Sequence, residues 1–527
     1  MVSLQRLLSG DIQFRLKHVL YIMHLCGQVS LPGHYKEPWK TQLHRIYTAF
    51  NWTLSGAFCL SVALGLFLNT IKEFGLFSER CFVFGAFLLC FCSNCLLNVK
   101  LKKFLTILDF FEALAERHRD KPVVVMLKKM ESLFLLALFA MTAQGLTWEF
   151  LIYPLLPKSD EELETLIKLY NLKHPHNSLP FQPYIPYVDT SEPKIFYILY
   201  ALFVYIGFLH LAATVFYGSL FPFSVFHLKT GFIILKEYTQ MVGKPHFNSS
   251  GQPVFYTNLF DNEEIVLRNL RPITQDNQQV TSDCQEDGQL CDVQAPRLAR
   301  LGISMSTDTH HHNLPRVYFP LDGISLSHTD CLNKAQETQI NIPGGNIRKL
   351  RSLCYDKSIR RLFKDNPTLY ESFYLVQLMV FHKRLMQQRN LMDDYFQDMF
   401  MPLTVIVIVM LIVSMFAGFM PLLPGIVRLK MIIMASGILG YIFVIFYCGE
   451  LLASCNESLA TTLWLSRWYT CSQGTIRNMI LFLRMNQKQH YFLIMRKWKL
   501  SYRWMIGVVR FAYSVFNVMR IRKQRSG

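Results

Sequence analysis

Charge is what this sequence does without over long distances. Residues 51–71, 81–99 and 402–427 contain no Asp, Glu, Lys or Arg, and each run is near the ~20 residues that cross a hydrocarbon core of ~30 Å. With 51% hydrophobic residues gathered in such runs, the chain is too apolar for an ordinary soluble protein. It also lacks the alternating ten-residue segments of a β-barrel. Catalytic vocabulary is missing too. There is no Gly-rich phosphate loop, no H-E-x-x-H, no G-x-S-x-G and no pair of carboxylates within a span, so neither an enzyme nor a cofactor is expected. Primary transport lacks its nucleotide motif, and no internal repeat of the kind secondary transporters carry is evident. Nor is there a secretory signal: Asp11, Arg15 and Lys17 interrupt the N-terminal stretch, which leaves the first span as the insertion signal.

What remains is a helical, polytopic membrane protein. The apolar runs predict seven crossings, at about 50–71, 81–99, 133–156, 195–226, 400–425, 431–452 and 504–520, with a further helix near 473–487 before the last. Six cysteines of the 13 (Cys59, Cys81, Cys90, Cys92, Cys95 and Cys448) fall inside these spans. There a thiol acts as a small hydrophobe, and no disulfide framework follows. The formal charge of +17 fits basic flanks held near anionic lipid. No nucleic-acid motif accompanies it.

Lys and Arg in short loops set the orientation. Residues 100–130 hold Lys100, Lys102, Lys103, Arg117, Arg119, Lys121, Lys128 and Lys129, whereas the loop after the first span offers only Lys72 and Arg80. The N-terminus is therefore expected inside, and seven spans leave the C-terminus outside, opposite to a G-protein-coupled receptor. The Asp-Arg-Tyr and Asn-Pro-x-x-Tyr motifs of that class are also missing. The basic group Arg520, Arg522, Lys523 and Arg525 sits less comfortably outside.

The expected organisation is a cytoplasmic segment 1–49 and four spans over 50–226, with an extracellular loop at 157–194. A cytoplasmic extension with a largely disordered insertion follows at 227–346, polar and Gly-rich through 243–345. Anchor helices at 347–399, two spans over 400–452, further anchor helices at 453–503 and a last helix and tail at 504–527 complete the chain. The extracellular loop is acidic at Asp160, Glu161, Glu162 and Glu164 and turn-rich at Pro180, Pro183 and Pro186. It suits either a cap over a cavity or a plain connector.

Several side chains invite a functional reading. His310, His311 and His312 with Cys284, Cys291 and Cys331 are too scattered for a zinc site and read as a solvated loop. The sequons at Asn51, Asn248 and Asn456 fall at a membrane edge or inside, where no glycan is expected. Glu149 and Arg510 lie within apolar stretches, where an ionisable group needs a wet cavity or a partner. Phe84, Phe87, Trp148, Tyr200 and Phe203 stand in outer halves of spans two to four, with Gln144, Thr147 and Ser436 as possible polar groups. Such a set fits a small-molecule pocket or plain helix packing.

Leu179-Pro180-Phe181 through Pro186-Tyr187, the stretch 375–382 with His382, Tyr447-Cys448-Gly449-Glu450 running to Ser466-Arg467-Trp468-Tyr469, and Tyr513-Ser514-Val515-Phe516-Asn517-Val518 resemble, in order and spacing, blocks of the insect odorant receptor family. The gustatory-receptor ending Thr-Tyr-x₅-Gln-Phe is not found. The resemblance implies a tetrameric, non-selective cation channel in the plasma membrane of sensory neurons, whose last span lines a central pore. It makes Val518 the apolar constriction and Asn517 its polar neighbour, and a wet pore suits Arg510, two turns earlier on the same span, better than lipid would. It places an odorant among spans two, three, four and six, near Phe84, Phe87, Gln144, Thr147, Trp148, Tyr200, Phe203, Ile433 and Ser436. Expected partners are the odorant, permeant cations, the bilayer, and either the shared co-receptor or further copies of the chain. The insertion is long for a tuning receptor, yet the C-terminal blocks differ from the co-receptor's, so the resemblance favours a tuning receptor that pairs with the co-receptor over the co-receptor itself. The alternatives are a G-protein-coupled chemoreceptor and a gustatory-receptor-like channel.

Overall fold

The computed structural model describes residues 15–266 and 363–526. Excepted are 32–34, 36, 69–73, scattered positions between 157 and 187, 248–250, 365, 420–424, 488–490 and 495–496. The histidine run, Cys284, Cys291, Cys331 and the Asn248 sequon lie outside the described residues. The chain forms two units. One comprises Met1–His246, Tyr256–Glu264 and Thr368–Gly527; the other comprises Phe247–Phe255 and Ile265–Pro367. The second is described only at its ends, where Phe255 and Phe363 meet edge to face at 5.7 Å.

The first unit is built of helices: α1 (Arg15–Leu25), α2 (Pro38–Leu68), α3 (Phe74–Val99), α4 (Leu101–Arg117), α5 (Pro122–Leu146), α6 (Pro193–Thr239), α7 (Pro367–Gly418), α8 (Gly425–Leu465), α9 (Gln473–Asn486) and α10 (Tyr502–Ser526). Proline opens α2, α5, α6 and α7, the position at which its missing N–H costs nothing and its fixed φ suits the helix. Two short hairpins interrupt the helices, β1 (Val254–Asn258) with β2 (Glu263–Val266), and β3 (Leu493–Ile494) with β4 (Trp498–Lys499).

Five of these helices are long and apolar enough to cross a membrane: α2, residues 80–99 of α3, α6, α7 and residues 428–465 of α8. The helices at the other two expected crossings carry more charge, at Lys128, Lys129 and Glu131 in α5 and at Arg503 and Arg510 in α10. At 1.5 Å per residue, the 47 residues of α6 span about 70 Å and the 52 of α7 about 78 Å, more than twice the hydrocarbon thickness. Their excess length, 227–239 and 367–399, packs with α1, α4, α9 and the lower part of α8 into a layer beyond the expected membrane edge.

That layer has its own core. In α4, residues Leu101, Phe104, Ile107, Leu108, Phe111 and Leu114 are buried, a spacing of three and four that lays one apolar stripe along the helix. The opposite side carries Lys102 and Lys103; ion pairs join Lys103 to Asp394 at 2.6 Å and Lys100 to Asp398, tying this segment to α7. Residues 100–130, expected as a basic loop, are therefore mostly helix. Their charge dominates the local composition and masks the stripe beneath it. Phe221 of α6 meets Phe396 at 5.0 Å and Phe400 at 4.8 Å, both edge to face, the arrangement aromatic quadrupoles favour.

Two further differences from the sequence expectation have clear causes. The composition shift near residue 400 predicts a boundary between the anchor region and the fifth span, but α7 runs through both with Pro402 inside it. One proline removes a single backbone hydrogen bond, which packing along a long helix outweighs. The polar stretch after 243 begins with an ordered hairpin: Val254, Tyr256, Leu259, Phe260 and Ile265 are buried, and the turn passes through Asn262 at φ 55°. Val254, Phe255, Tyr256 and Thr257 all favour extended backbone, and Val254 and Tyr256 take its buried face. Phe260 at its tip packs on Phe381 and Phe110.

The segment after α1 is held inside the bundle by polar contacts. Gln28 Nε2 donates to the Leu209 carbonyl, and its Oε1 accepts from Asn94, whose own Oδ1 accepts from the Tyr217 hydroxyl at 2.6 Å. Asn51 Nδ2 donates to the Cys26 carbonyl while its Oδ1 accepts from Tyr205. The Asn51 sequon is thus buried, with both ends of its amide hydrogen-bonded.

Candidate functional site

The expected ligand residues divide into a buried set and an exposed set. Phe87 and Phe203 are buried in one cluster with Phe58, Phe150, Phe196 and Leu179, and Phe84 and Tyr200 pack against it. Phe58 stands 4.7 Å from Phe87 and 5.0 Å from Phe203, both edge to face. Leu179 comes from the loop at 157–194, which is pinned to the C-terminal part of α2: Tyr184 N–H donates to the Ser61 carbonyl and Ser61 Oγ donates to the Tyr184 carbonyl. The loop therefore covers the cluster, with Leu179 of the Leu-Pro-Phe motif as the inserted side chain.

α5 does not end as a regular helix. It widens into a π turn over Thr147–Ile152 and then a 3₁₀ turn over Tyr153–Leu155. π turns shift side chains round the helix axis and are frequent where function requires it. Here the shift carries Phe150 into the cluster, against Gly207 of α6, where a Cβ would stand 3.2 Å from the Phe150 ring. Tyr200 secures the turn by donating its hydroxyl to the Leu151 carbonyl at 3.2 Å. Gln144 and Thr147 are at least partly exposed, and Trp148 is half exposed at the turn. Ile433 and Ser436 of α8 reach the surface as well, Ser436 donating to the Ile433 carbonyl. The Glu149 side chain lies outside the described residues.

α10 has two sides. Val508, Ala512 and Phe516 recur every four residues and are buried. Phe516 faces Phe416 of α7 and Phe419 just beyond its end, and Trp504 faces Phe446 of α8 at 5.4 Å. The other side exposes Ile506, Arg510, Tyr513, Ser514, Val518 and Ile521, with Asn517 half-buried among them. At about 100° per residue, Arg510, Ser514 and Ile521 stand nearest the direction opposite Ala512, with Asn517 about 40° and Val518 about 60° round from it. Behind the buried face, a cavity of about 40 Å³ is lined by Leu403, Val407, Tyr441, Ile445, Trp504 and Val508, among other mainly apolar side chains.

The motif Tyr447-Cys448-Gly449-Glu450 acquires a structural reason. A Cβ on Gly449 would lie 2.5 Å from the Leu500 carbonyl oxygen, so only glycine lets the strand leading into α10 lie directly on α8. Gly449→Ala should displace that strand and lower the thermal unfolding temperature of the detergent-purified protein. An unchanged unfolding temperature would show that the contact does not hold the strand on α8.

Sequence reasoning missed one buried polar pair. Glu131 of α5 and His227 of α6 are 2% and 5% exposed and are hydrogen-bonded to each other. Each lies within two residues of an expected span end, at 133 and 226, where hydropathy makes both ordinary flanking polar residues.

Residues 348–513 match the family model described as 7tm Odorant receptor. Nearly the whole fold is shared with the insect olfactory receptor OR5 from Machilis hrabei. The TM-score is 0.56, over 96% of this chain and 97% of that one, at 10% identity. The same receptor in complex with eugenol gives a TM-score of 0.57 over the same shares, at 9% identity. The C-terminal region is thus similar in sequence to the odorant-receptor family model, and the fold along nearly the whole length is that of the Machilis receptor. No curated protein matches the chain in sequence. The family match begins before α7 and ends inside α10, so it contains Tyr447–Tyr469 and Gly449, while the aromatic cluster precedes it and Asn517 and Val518 follow it.

Proposed function

We propose that the receptor is one subunit of a tetrameric, odorant-gated, non-selective cation channel, with α10 lining the pore. The carrying observation is the two-sidedness of α10. One ridge is packed on α7 and α8, and the opposite stripe, which includes Arg510, Asn517 and Val518, has no partner within the described residues of this chain. An exposed arginine in that position suits a water-filled axis far better than lipid. A ring of Val518 side chains forms an apolar constriction that closes by dewetting and opens with a small helix displacement. The cavity behind Val508 gives α10 room for such a displacement.

The odorant site lies in the outer half of the bundle, around the aromatic cluster and the π turn. Eugenol binding by the similar Machilis receptor supports a small-molecule ligand of this class. An odorant opens the pore only if it binds the open arrangement more tightly than the closed one. Phe87 and Phe203 are poor test positions, because truncating a buried phenylalanine costs about 3–5 kcal/mol of stability. Trp148 is half exposed and can be truncated without opening a core cavity. Trp148→Ala should move the odorant dose–response by about tenfold or more and leave ion selectivity unchanged; an unmoved dose–response would take Trp148 out of the site.

The basic residues at 100–130 support a cytoplasmic location for α4 and the layer around it, with the N-terminus inside and the C-terminus outside. The remaining subunits are copies of this chain or a shared co-receptor, in the plasma membrane of sensory neurons. Recording odorant-evoked currents with the chain alone and with a co-receptor decides between them, and no evoked conductance in either case would refute the channel reading.

A further inference from the structure

Away from the aromatic cluster and the pore helix, α6, the turn after it and α8 enclose a cavity of about 620 Å³, within the size range of small-molecule sites. Its walls differ in chemistry. On one side stand the ammonium groups of Lys236 and Lys244. Lys236 donates to Ser458 Oγ at 3.0 Å, and neither lysine is ion-paired among the described residues. On the other side α8 presents a row of hydroxyls whose protons are already committed to its own carbonyls: Ser454 to Leu451, Thr461 to Glu457 and Thr462 to Ser458. That leaves oxygen lone pairs facing the cavity, and Glu457 adds a carboxylate to the same wall.

A simple anion is poorly served there, because the α8 wall offers acceptors rather than donors. A divalent cation is poorly served too, since one carboxylate faces two ammonium groups and oxygen-rich cages need more. A ligand carrying both phosphate and free hydroxyls satisfies both walls at once: phosphate oxygens against the lysines and ligand hydroxyls donating to the serine and threonine oxygens. We infer that this cavity is a binding site for a phosphorylated polyol, of the inositol phosphate type.

The ligand has two possible sources with the same chemistry. Ser454 directly follows the buried apolar pair Leu452–Ala453, so that end of the cavity opens near the expected headgroup level. The other end, at Ser466, is about 18 Å further along α8, within reach of a soluble molecule. The cytoplasmic side of the site rests on the orientation proposed above; binding itself does not.

The test is a titration of the full-length protein in phosphatidylcholine nanodiscs, with no odorant present. Inositol trisphosphate is added in one arm, and phosphatidylinositol bisphosphate is incorporated in the discs in the other, with affinity read by calorimetry or thermal shift. Saturable binding is expected in at least one arm, and the responding arm identifies the source. Lys236→Gln with Lys244→Gln should weaken it at least tenfold, the scale of losing charge-assisted hydrogen bonds. The Lys236→Arg, Lys244→Arg protein should retain it. Lys244 is exposed in a turn, so Lys244→Gln alone folds and should weaken binding several-fold if the double variant proves unstable. No saturable binding in either arm, binding unaffected by the lysine variants, or equal competition by inorganic phosphate would overturn the inference. None of these readouts depends on channel activity, so failure here is separable from failure of the channel reading.

Discussion

Glu131→Ala should remove most of the protein from the cell surface. Glu131 and His227 are almost wholly buried between α5 and α6 and hydrogen-bonded to one another, with the Phe111 ring 5.4 Å from the imidazole. Alanine leaves the buried imidazole without its carboxylate and opens a gap beside it. Removing one member of a buried pair costs about 3–5 kcal/mol, against a typical folding stability of about 5–15 kcal/mol. Glu131→Gln keeps an acceptor of the same shape and should lose much less. Replacing both residues by leucine should recover more protein than Glu131→Ala alone, because no polar group is then stranded. Surface biotinylation and thermal unfolding in detergent measure all three, and wild-type levels of the alanine variant would mean that the pair contributes little.

The same pair marks where sequence reading stops. The spans are legible because an uncharged run of about twenty residues matches the thickness of a bilayer and little else in a folded chain, and α2, α3, α6, α7 and α8 all contain one. The hydrophobic criterion ends a span at the first polar residue, and that is why Glu131 and His227 fall outside it. Their partnership depends on a contact between residues 96 apart, which no local pattern encodes. Gln28, Asn94 and Tyr217 are hidden in the same way, as isolated polar residues whose partners are distant in sequence. α4 is masked by its own charge, and the β1–β2 hairpin by the polar composition around it.

The expected ligand residues show a subtler limit. Helical periodicity sets Gln144, Thr147 and Trp148 in the outer half of one span, as a regular helix would carry them. The structure instead places a π turn there, which turns Phe150 inward and leaves Trp148 half exposed. Regular spacing therefore gives no reason to select Phe150, although its ring lies 6.2 Å from that of Phe87. On α10, by contrast, spacing alone separates the stripe of Arg510 and Asn517 from the ridge of Val508, Ala512 and Phe516, because an uninterrupted helix keeps its period.

That stripe carries the second large effect. In the proposed tetramer, four arginines at about 8 Å from the pore axis would raise the energy of a monovalent cation by about 2 kcal/mol even at the dielectric constant of water, enough to reduce cation flux by an order of magnitude. Arg510→Ala should therefore increase single-channel cation conductance several-fold. Arg510→Glu should increase it further and raise the calcium-to-sodium permeability ratio, since a carboxylate ring attracts divalent ions. Val518→Ala acts differently: a smaller apolar ring is easier to wet, so stimulus-independent leak should rise while selectivity changes little. The two positions lie about 12 Å apart along α10, and the effects should combine nearly additively in the double variant. Single-channel recording at matched surface expression checks each outcome. If conductance, leak and permeability ratio stay at wild-type values in all three single variants, the exposed stripe of α10 faces something other than the ion path.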